Sequence, residues 1–301
     1  MSDPAPPASG FRSGFVTIVG RPNVGKSTLC NRLVGRKVAI TSSRPQTTRN
    51  RIHGVRTTPK SQIVLVDTPG VHRPRTTLGE RCNDATMAAM REVDAVCWVL
   101  DGSAGVGPGD RFVAEAVVGA GRPAVVVVNK CDRAGPGRIA RALDTAAGIL
   151  SDALAFVPVS ARTGEGLDAL AGELELLLPE GPKYYPDGMV TDQPEQFLAA
   201  ELVREKLLER TRDELPHSIT VTIEEFDADH DVVHVRAVIH VERESQKGIV
   251  IGAGGANLKA AGTAARREME GLFGTKVFLE TVVRVERDWQ RRDDSLDRLG
   301  F

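Results

Sequence analysis

The sequence predicts a doubly wound, mostly parallel α/β sheet followed by a smaller α+β domain. Three observations carry this. Five short apolar runs alternate with helix-patterned stretches up to Leu178, a proline-rich break follows at 179–194, and beyond it one strand alternates between apolar and polar residues. The apolar runs at 15–19, 63–67, 95–101, 124–129 and 156–160 are continuous. Continuous runs mean strands buried on both faces, with the intervening helices as cover. The last of these helices carries Leu167, Leu170, Leu174 and Leu178 at helical spacing, one buried stripe ending at Pro179. The chain then divides into a loose Pro/Ala-rich tail at 1–13, the sheet domain at 14–179, a linker at 180–193 and a second domain at 194–301.

In the second domain a helix over 194–212 precedes strands at 218–226 and 232–241. Val233, Val235, Ala237, Ile239 and Val241 face one way, and His234, Arg236 and His240 the other. A glycine-rich turn at 248–255 with an apolar, strand-like lead, a helix at 256–272 and a strand at 277–286 give the order α-β-β-α-α-β. There is no internal repeat of solenoid length. His230, His234 and His240 share one strand parity, which reads as a solvated strand face.

A chain of 301 residues holds two domains with sizeable cores. At 41% apolar and 26% charged, it is neither disordered nor collagen-like. The four cysteines, Cys30, Cys82, Cys97 and Cys131, show no metal spacing, so structural zinc is not expected. No apolar run approaches the ~20 residues of a membrane span, and the first residues lack a signal-peptide layout. A cytoplasmic location with reduced thiols is expected. The net charge of −1 hides a split: 22 basic against 17 acidic residues in 1–180, and 17 against 23 in 181–301. No acidic residue lies between Asp3 and Asp67, an interval holding eleven Lys or Arg. That excess is larger than one phosphorylated ligand needs, so part of a nucleic-acid contact is expected there.

Gly20-Arg21-Pro22-Asn23-Val24-Gly25-Lys26-Ser27 follows a strand and opens a helix, the context a phosphate-binding loop requires. Gly20 and Gly25 let successive N–H groups point at phosphates; Lys26 supplies a point charge; the Ser27 hydroxyl is a hard ligand for Mg²⁺. Thr28 continues the loop into the helix. Asp67-Thr68-Pro69-Gly70 ends the strand 63–67, placing a carboxylate where it holds Mg²⁺ and an N–H where it meets a γ-phosphate. Asn129-Lys130-Cys131-Asp132 ends the strand 124–129. An Asp132 carboxylate pairs with the N1–H and N2–H of guanine, which adenine cannot supply. Ser160-Ala161-Arg162 after the next strand fits a backbone contact to guanine O6.

These four elements, in order across 20–162, resemble the P-loop GTPases, which implies GTP/GDP and Mg²⁺. The same resemblance places a switch threonine in Ser42–Asn50; Thr48 is chosen as the Mg²⁺ ligand, with Thr47 its rival. The glutamine that orients water in many relatives is replaced by Val71, followed by His72, an exposed histidine read as solvated rather than as a base. Slow, positional hydrolysis is expected, with Lys26, Thr48 and Asn23 as catalytic candidates. Asn23 resembles the asparagine that holds K⁺ in some bacterial GTPases. A P-loop kinase using ATP is excluded by the Asn129–Asp132 motif.

In the second domain, Gly252-Ala253-Gly254-Gly255 within the α-β-β-α-α-β order resembles the G-x-x-G loop of type II KH domains, where an RNA backbone approaches closely. The loop lacks the basic residue usual in that family. Lys247, Ile251, Lys259 and Arg266 are therefore expected to grip RNA alongside the loop amides. A GTPase domain followed by a KH domain resembles the Era family of bacterial ribosome-assembly GTPases over nearly the whole chain. The resemblance implies binding to the 3′ end of 16S rRNA and the small ribosomal subunit, peripheral contact with the inner face of the cell membrane, and no DNA partner. The competing reading is a constitutive RNA-binding module whose nucleotide site is structural.

Overall fold

Strands Arg12–Val19 (β1), Ile52–Thr57 (β2), Ser61–Asp67 (β3), Ala95–Asp101 (β4), Ala124–Asn129 (β5) and Ala155–Pro158 (β6) form one sheet in a computed structural model that describes residues 10–42, 44, 47–211, 215–229 and 231–301. Their order is β2-β3-β1-β4-β5-β6; β2 runs antiparallel to β3 and all other pairs are parallel. The expected features at residues 1–9, Ser43, Pro45, Gln46, Arg212 and His230 lie outside the described residues.

Every residue of β3, β4 and β5 is buried, as their continuous apolar runs require. Helices Lys26–Val34 (α1) and Leu167–Leu177 (α5) close one face, packing Leu29, Leu33, Leu170 and Leu174 against Val16, Ile18 and Val127. Helices Thr77–Glu92 (α2), Pro108–Ala120 (α3) and Pro136–Ile149 (α4) close the other, around Trp98 and Val126. The strand β2 is absent from the sequence expectation. It is an edge strand of mixed polarity, Ile-His-Gly-Val-Arg-Thr, paired on one side only.

The fold departs from the sequence expectation at two places. The strand β1 begins at Arg12, inside the segment expected to be a tail. The expected linker is tied to the sheet: the Ser13 hydroxyl donates to the Pro182 carbonyl at 2.6 Å, Gln62 Oε1 accepts the Tyr184 and Tyr185 N–H groups at 2.7 and 2.9 Å, and Val55 N–H reaches the Val190 carbonyl at 2.8 Å. His53 Nδ1 and the Tyr185 hydroxyl both bond Asp192 Oδ2 at 2.7 Å. Prolines exclude regular structure here, but these polar partners hold the segment as part of the first unit, which runs to Asp192.

The second unit comprises 193–301 together with residues 40–47 and 75–78. Helices Glu195–Arg210 (α6) and Leu215–Ser218 (α7) precede strands Thr220–Asp227 (β7) and Val232–Val241 (β8). Helices Glu244–Ile251 (α8) and Ala256–Phe273 (α9), strand Lys276–Val285 (β9) and helix Asp293–Leu299 (α10) follow. The sheet order is β7-β8-β9, antiparallel then parallel. The apolar lead to the glycine turn, expected as strand-like, is the helix α8; Gln246 caps it by accepting the Glu242 and Arg243 N–H groups at 2.8 and 3.1 Å. Thr41, Arg44 and Thr47 are bound within this unit: Glu205 Oε1 accepts the Thr41 N–H at 2.8 Å, Arg44 donates to the Thr211 carbonyl at 3.0 Å, and Arg204 donates to the Thr47 carbonyl.

Candidate functional site

The loop 20–25 joins β1 to α1, so the first N–H groups of α1 face outward from the carboxyl ends of the parallel strands. Gly25 has φ +99°, and a Cβ there would stand 2.4 Å from Asn129 Nδ2. Only glycine fits. Lys26 is buried and its Nζ donates to the carbonyls of Gly20 and Arg21, each at 3.2 Å. Burial lowers its pKa to about 8, against the pull of the Asp67 charge.

Ser27 Oγ donates to Asp67 Oδ2 at 2.7 Å and lies 2.8 Å from Thr48 Oγ1, which donates to the same Asp67 oxygen at 3.3 Å. Asp67 is fully buried, and its Oδ1 has no hydrogen-bond partner among the described residues. Burial raises its pKa, opposed by the bonds from Ser27 and Thr48 and the Lys26 charge. Two hydroxyls and a carboxylate with an unused buried oxygen are the hard donor set that suits Mg²⁺. Thr47 is elsewhere: its hydroxyl donates to the Arg44 carbonyl at 2.7 Å.

At the other end, Asn129 is a tie rather than an open ligand. Its Nδ2 donates to the Val24 carbonyl at 2.9 Å, and its Oδ1 accepts the Lys130 and Ala161 N–H groups at 2.8 and 3.0 Å. One buried amide thus joins the phosphate loop, the β5 end and the Ser160–Arg162 segment. Lys130 Nζ bridges the Asn23 carbonyl at 2.5 Å and Asp101 Oδ2 at 2.7 Å. Asp132 Oδ1 accepts the Ser160 hydroxyl at 2.8 Å, which orients the carboxylate beside that segment.

Several expected residues serve the scaffold. Thr68 Oγ1 donates to the Ile18 carbonyl at 2.8 Å, Pro69 accepts from Thr86 at 3.3 Å, and Val24 is buried in the core. Arg21 turns to the buried Asp110, Nε to Oδ1 at 3.0 Å, along a cavity of about 860 Å³ that Pro22, Val71 and His72 also line. Val71 is buried, and the His72 ring Nδ1 lies 2.9 Å from the Gly70 carbonyl. Asn23 is exposed with φ +65°, and Gly70 and Thr28 sit where the sequence puts them, at the β3 end and in the first turn of α1. Asp101 and Asp110 are absent from the sequence expectation. A signal exists for Asp101, a carboxylate ending a parallel strand as Asp67 does.

In the second unit, Gly252 (φ +74°), Gly254 (φ +57°) and Gly255 (φ +78°) turn the chain between α8 and α9. A Cβ on Gly252 would come within 2.7 Å of Asn257, whose Nδ2 donates to the Ile249 and Val250 carbonyls at 3.3 and 3.2 Å. Ala253, Gly254 and Lys259 are exposed, Ile251 and Lys247 partly so, and Ile249 beside them is 56% exposed. Arg266 is committed to Glu270 Oε1 at 2.7 Å.

A family model described as 50S ribosome-binding GTPase matches residues 15–130, and a KH domain model matches 214–290. The chain is 52% identical over 299 residues to GTPase Era of Mycobacterium sp. (strain JLS), covering 97% of this chain and 100% of that one. It is 50% identical over 298 residues to GTPase Era of Mycobacterium tuberculosis (strain ATCC 25177 / H37Ra), covering 97% and 99%. A crystal structure of Era with MgGDPNP and nucleotides 1506–1542 of 16S ribosomal RNA superposes with TM-score 0.93 at 38% identity, over 96% of this chain and 99% of that one. A point variant of Aquifex aeolicus Era bound to GDP·AlF4⁻ gives TM-score 0.92 at 37% identity, over 96% and 99%. With such likeness running through both units, the chain belongs to the Era family of GTPases.

Proposed function

We propose that this chain is a GTP-hydrolysing switch that binds the 3′ end of 16S rRNA and the small ribosomal subunit and acts in small-subunit assembly and rRNA maturation. The observation that carries the reading is the convergence of Ser27, Thr48 and Asp67 beside Lys26, in a chain that also holds a G-x-x-G turn between two helices. In this reading the amides of 20–28 wrap the phosphates, and Lys26 exchanges its two carbonyl partners for phosphate oxygens. Ser27, Thr48 and Asp67 hold Mg²⁺, which when bound neutralises charge on the phosphates. Gly70, with Thr68 and Pro69 setting its turn, offers its N–H to the γ-phosphate. Asp132 reads the guanine edge, Lys130 flanks it, Asn129 fixes the loops, and Ser160, Ala161 and Arg162 complete the base pocket.

No side chain is assigned as general base, because Val71 is apolar and the His72 ring is bonded to Gly70. Catalysis is then positional and electrostatic and the intrinsic turnover slow, with Asn23 helping to hold K⁺. The RNA backbone lies along Gly252–Gly255, gripped by loop amides, Ile251, Lys247 and Lys259; Arg266 takes part only by leaving Glu270. The location is cytoplasmic, with any membrane contact peripheral, on the inner face of the cell membrane. Among the described residues no helix is long and apolar enough to cross a membrane. Crosslinking in lysate followed by sequencing of bound RNA tests the reading. Enrichment of the 16S rRNA 3′ end is expected; enrichment of unrelated RNAs, or of none, contradicts it.

A further inference from the structure

Helices α8 and α9 cover one face of the β7-β8-β9 sheet, where Val250, Ala261, Ala265 and Met269 share a core with Val233, Val235 and Ile239. The G-x-x-G turn belongs to that helical side. The opposite face carries the other strand parity, and the register pairs His234 with Phe278, Arg236 with Glu280 and His240 with Arg284 across it.

The two ends of this face differ in chemistry. At one, Phe278 is 57% exposed, with the His234 ring 5.3 Å away and tilted by 39°. At the other, a cavity of about 690 Å³ is lined by Arg284, Arg287, Arg292 and Arg298, with Glu224 and Glu286 the acids among its lining. Arg284 pairs with Glu224, Arg298 with Glu286, and Arg292 with Asp294 at 2.6 Å. Arg287 is exposed and has no carboxylate partner among the described residues. His240 also lines the cavity and is only 7% exposed. Its Nε2 lies 2.9 Å from Thr222 Oγ1, while its Nδ1, 3.3 Å from Glu286 Oε2, makes no hydrogen bond among the described residues. Three of the four guanidiniums are thus paired with carboxylates, and Arg287 is the one left to meet an anion, in a half of the chain where acids outnumber bases by 23 to 17.

An exposed aromatic alone fits many partners, and guanidiniums alone fit any anion. Phe278 and Arg284 stand six positions apart on β9, about 20 Å at strand rise, and both lie on one sheet face. Stacked bases at one end and phosphates at the other are what a short single strand of RNA presents. We infer that the outer face of the β7-β8-β9 sheet is a second RNA-contact surface, with a base on Phe278 and backbone phosphate in the arginine-lined cavity. The inference rests on the proposed RNA-binding function but assigns contacts outside the G-x-x-G groove.

The test uses the full chain with two probes: RNA spanning nucleotides 1506–1542 of 16S rRNA, and a single-stranded RNA of about four nucleotides, enough to fill a KH groove. Phe278→Ala and Arg287→Ala are both on exposed side chains outside the nucleotide site, and thermal melting checks their folding. Each is expected to weaken the long RNA about tenfold while leaving the short RNA and GTP hydrolysis unchanged. Arg287→Ala should also lower the salt slope of long-RNA binding by about one phosphate contact. Unchanged long-RNA affinity in both variants overturns the inference, as does equal weakening of both probes. Inorganic tripolyphosphate that binds through Arg287 while long-RNA affinity stays unchanged marks a free-anion site and overturns it too. If the unmodified chain binds neither RNA, the proposed RNA function itself fails, a result distinguishable from the others.

Discussion

Asp132 has one carboxylate oxygen held by Ser160 and the other flanked by Arg133 and Arg162 at 3.9 and 3.7 Å. The proposed role of Asp132, pairing with guanine N1–H and N2–H, gives Asp132→Asn a specific outcome. Preference should move from GTP toward the xanthine nucleotide by about 10⁴-fold in competition binding, because each mismatch leaves polar groups unpaired; an unchanged preference contradicts the assignment. If Asn23 helps to hold K⁺ as proposed, steady-state GTP turnover should be higher in K⁺ than in Na⁺ at equal ionic strength; equal rates rule that role out. Gly25→Ala, with φ +99° and Asn129 in the way, should abolish measurable GTP binding by calorimetry. At this scale the sequence makes Ser27, Lys26 and Asp67 legible, since phosphate and Mg²⁺ chemistry constrain their types and spacing. The choice between Thr47 and Thr48 was illegible because neighbouring threonines offer the same oxygen; the placement of Thr48 on Ser27 and Asp67 favours it. The threefold tie made by Asn129 needs residues 24 and 161 brought together, which only the folded chain does.

Among the elements, continuous apolar strands are legible in the sequence because burial on both faces leaves a compositional mark. The edge strand β2 leaves no such mark. The helix α8 was masked by its β-branched Ile249-Val250-Ile251 run; packing of Val250 into the core and the Gln246 cap override that propensity. The β8 strand carries a pH prediction. Burial, with the Arg284 and Arg298 charges, lowers the His240 pKa from 6.5 to about 4, against Glu224. The unfolded chain therefore takes up the proton first, so this contribution to stability is complete above pH 6.5 and is lost as pH falls toward 4. The loss is of the order of 2 kcal/mol after allowance for screening, and melting curves of His240→Gln should be flatter than wild type across that window. Asp101 and Asp192 act lower. Burial opposes their ionisation, but hydrogen bonds from Lys130 and Ser103, and from His53 and Tyr185, outweigh it, so their contributions are lost only as pH falls below 3.8.

For the whole molecule, near-zero net charge averages a basic first half against an acidic second half. The acid-free interval between Asp3 and Asp67 includes the phosphate loop and Thr48, and Thr41 and Thr47 from that interval are bonded to α6 within the second unit. The two-part organisation was legible from composition and the proline break. The grouping of residues 40–47 with the second unit was not, because it depends on long-range partners such as Glu205 and Arg204. A switch links nucleotide state to RNA binding only if GTP and GDP favour conformations of different RNA affinity, since a ligand shifts only an equilibrium whose states it distinguishes. The most direct measurement is the affinity of the full chain for the 1506–1542 RNA with GDPNP and with GDP. At least about fivefold tighter binding with GDPNP is expected, the lower end of a typical coupling; identical affinities would rule out the switch and leave a constitutive RNA-binding protein with a structural nucleotide.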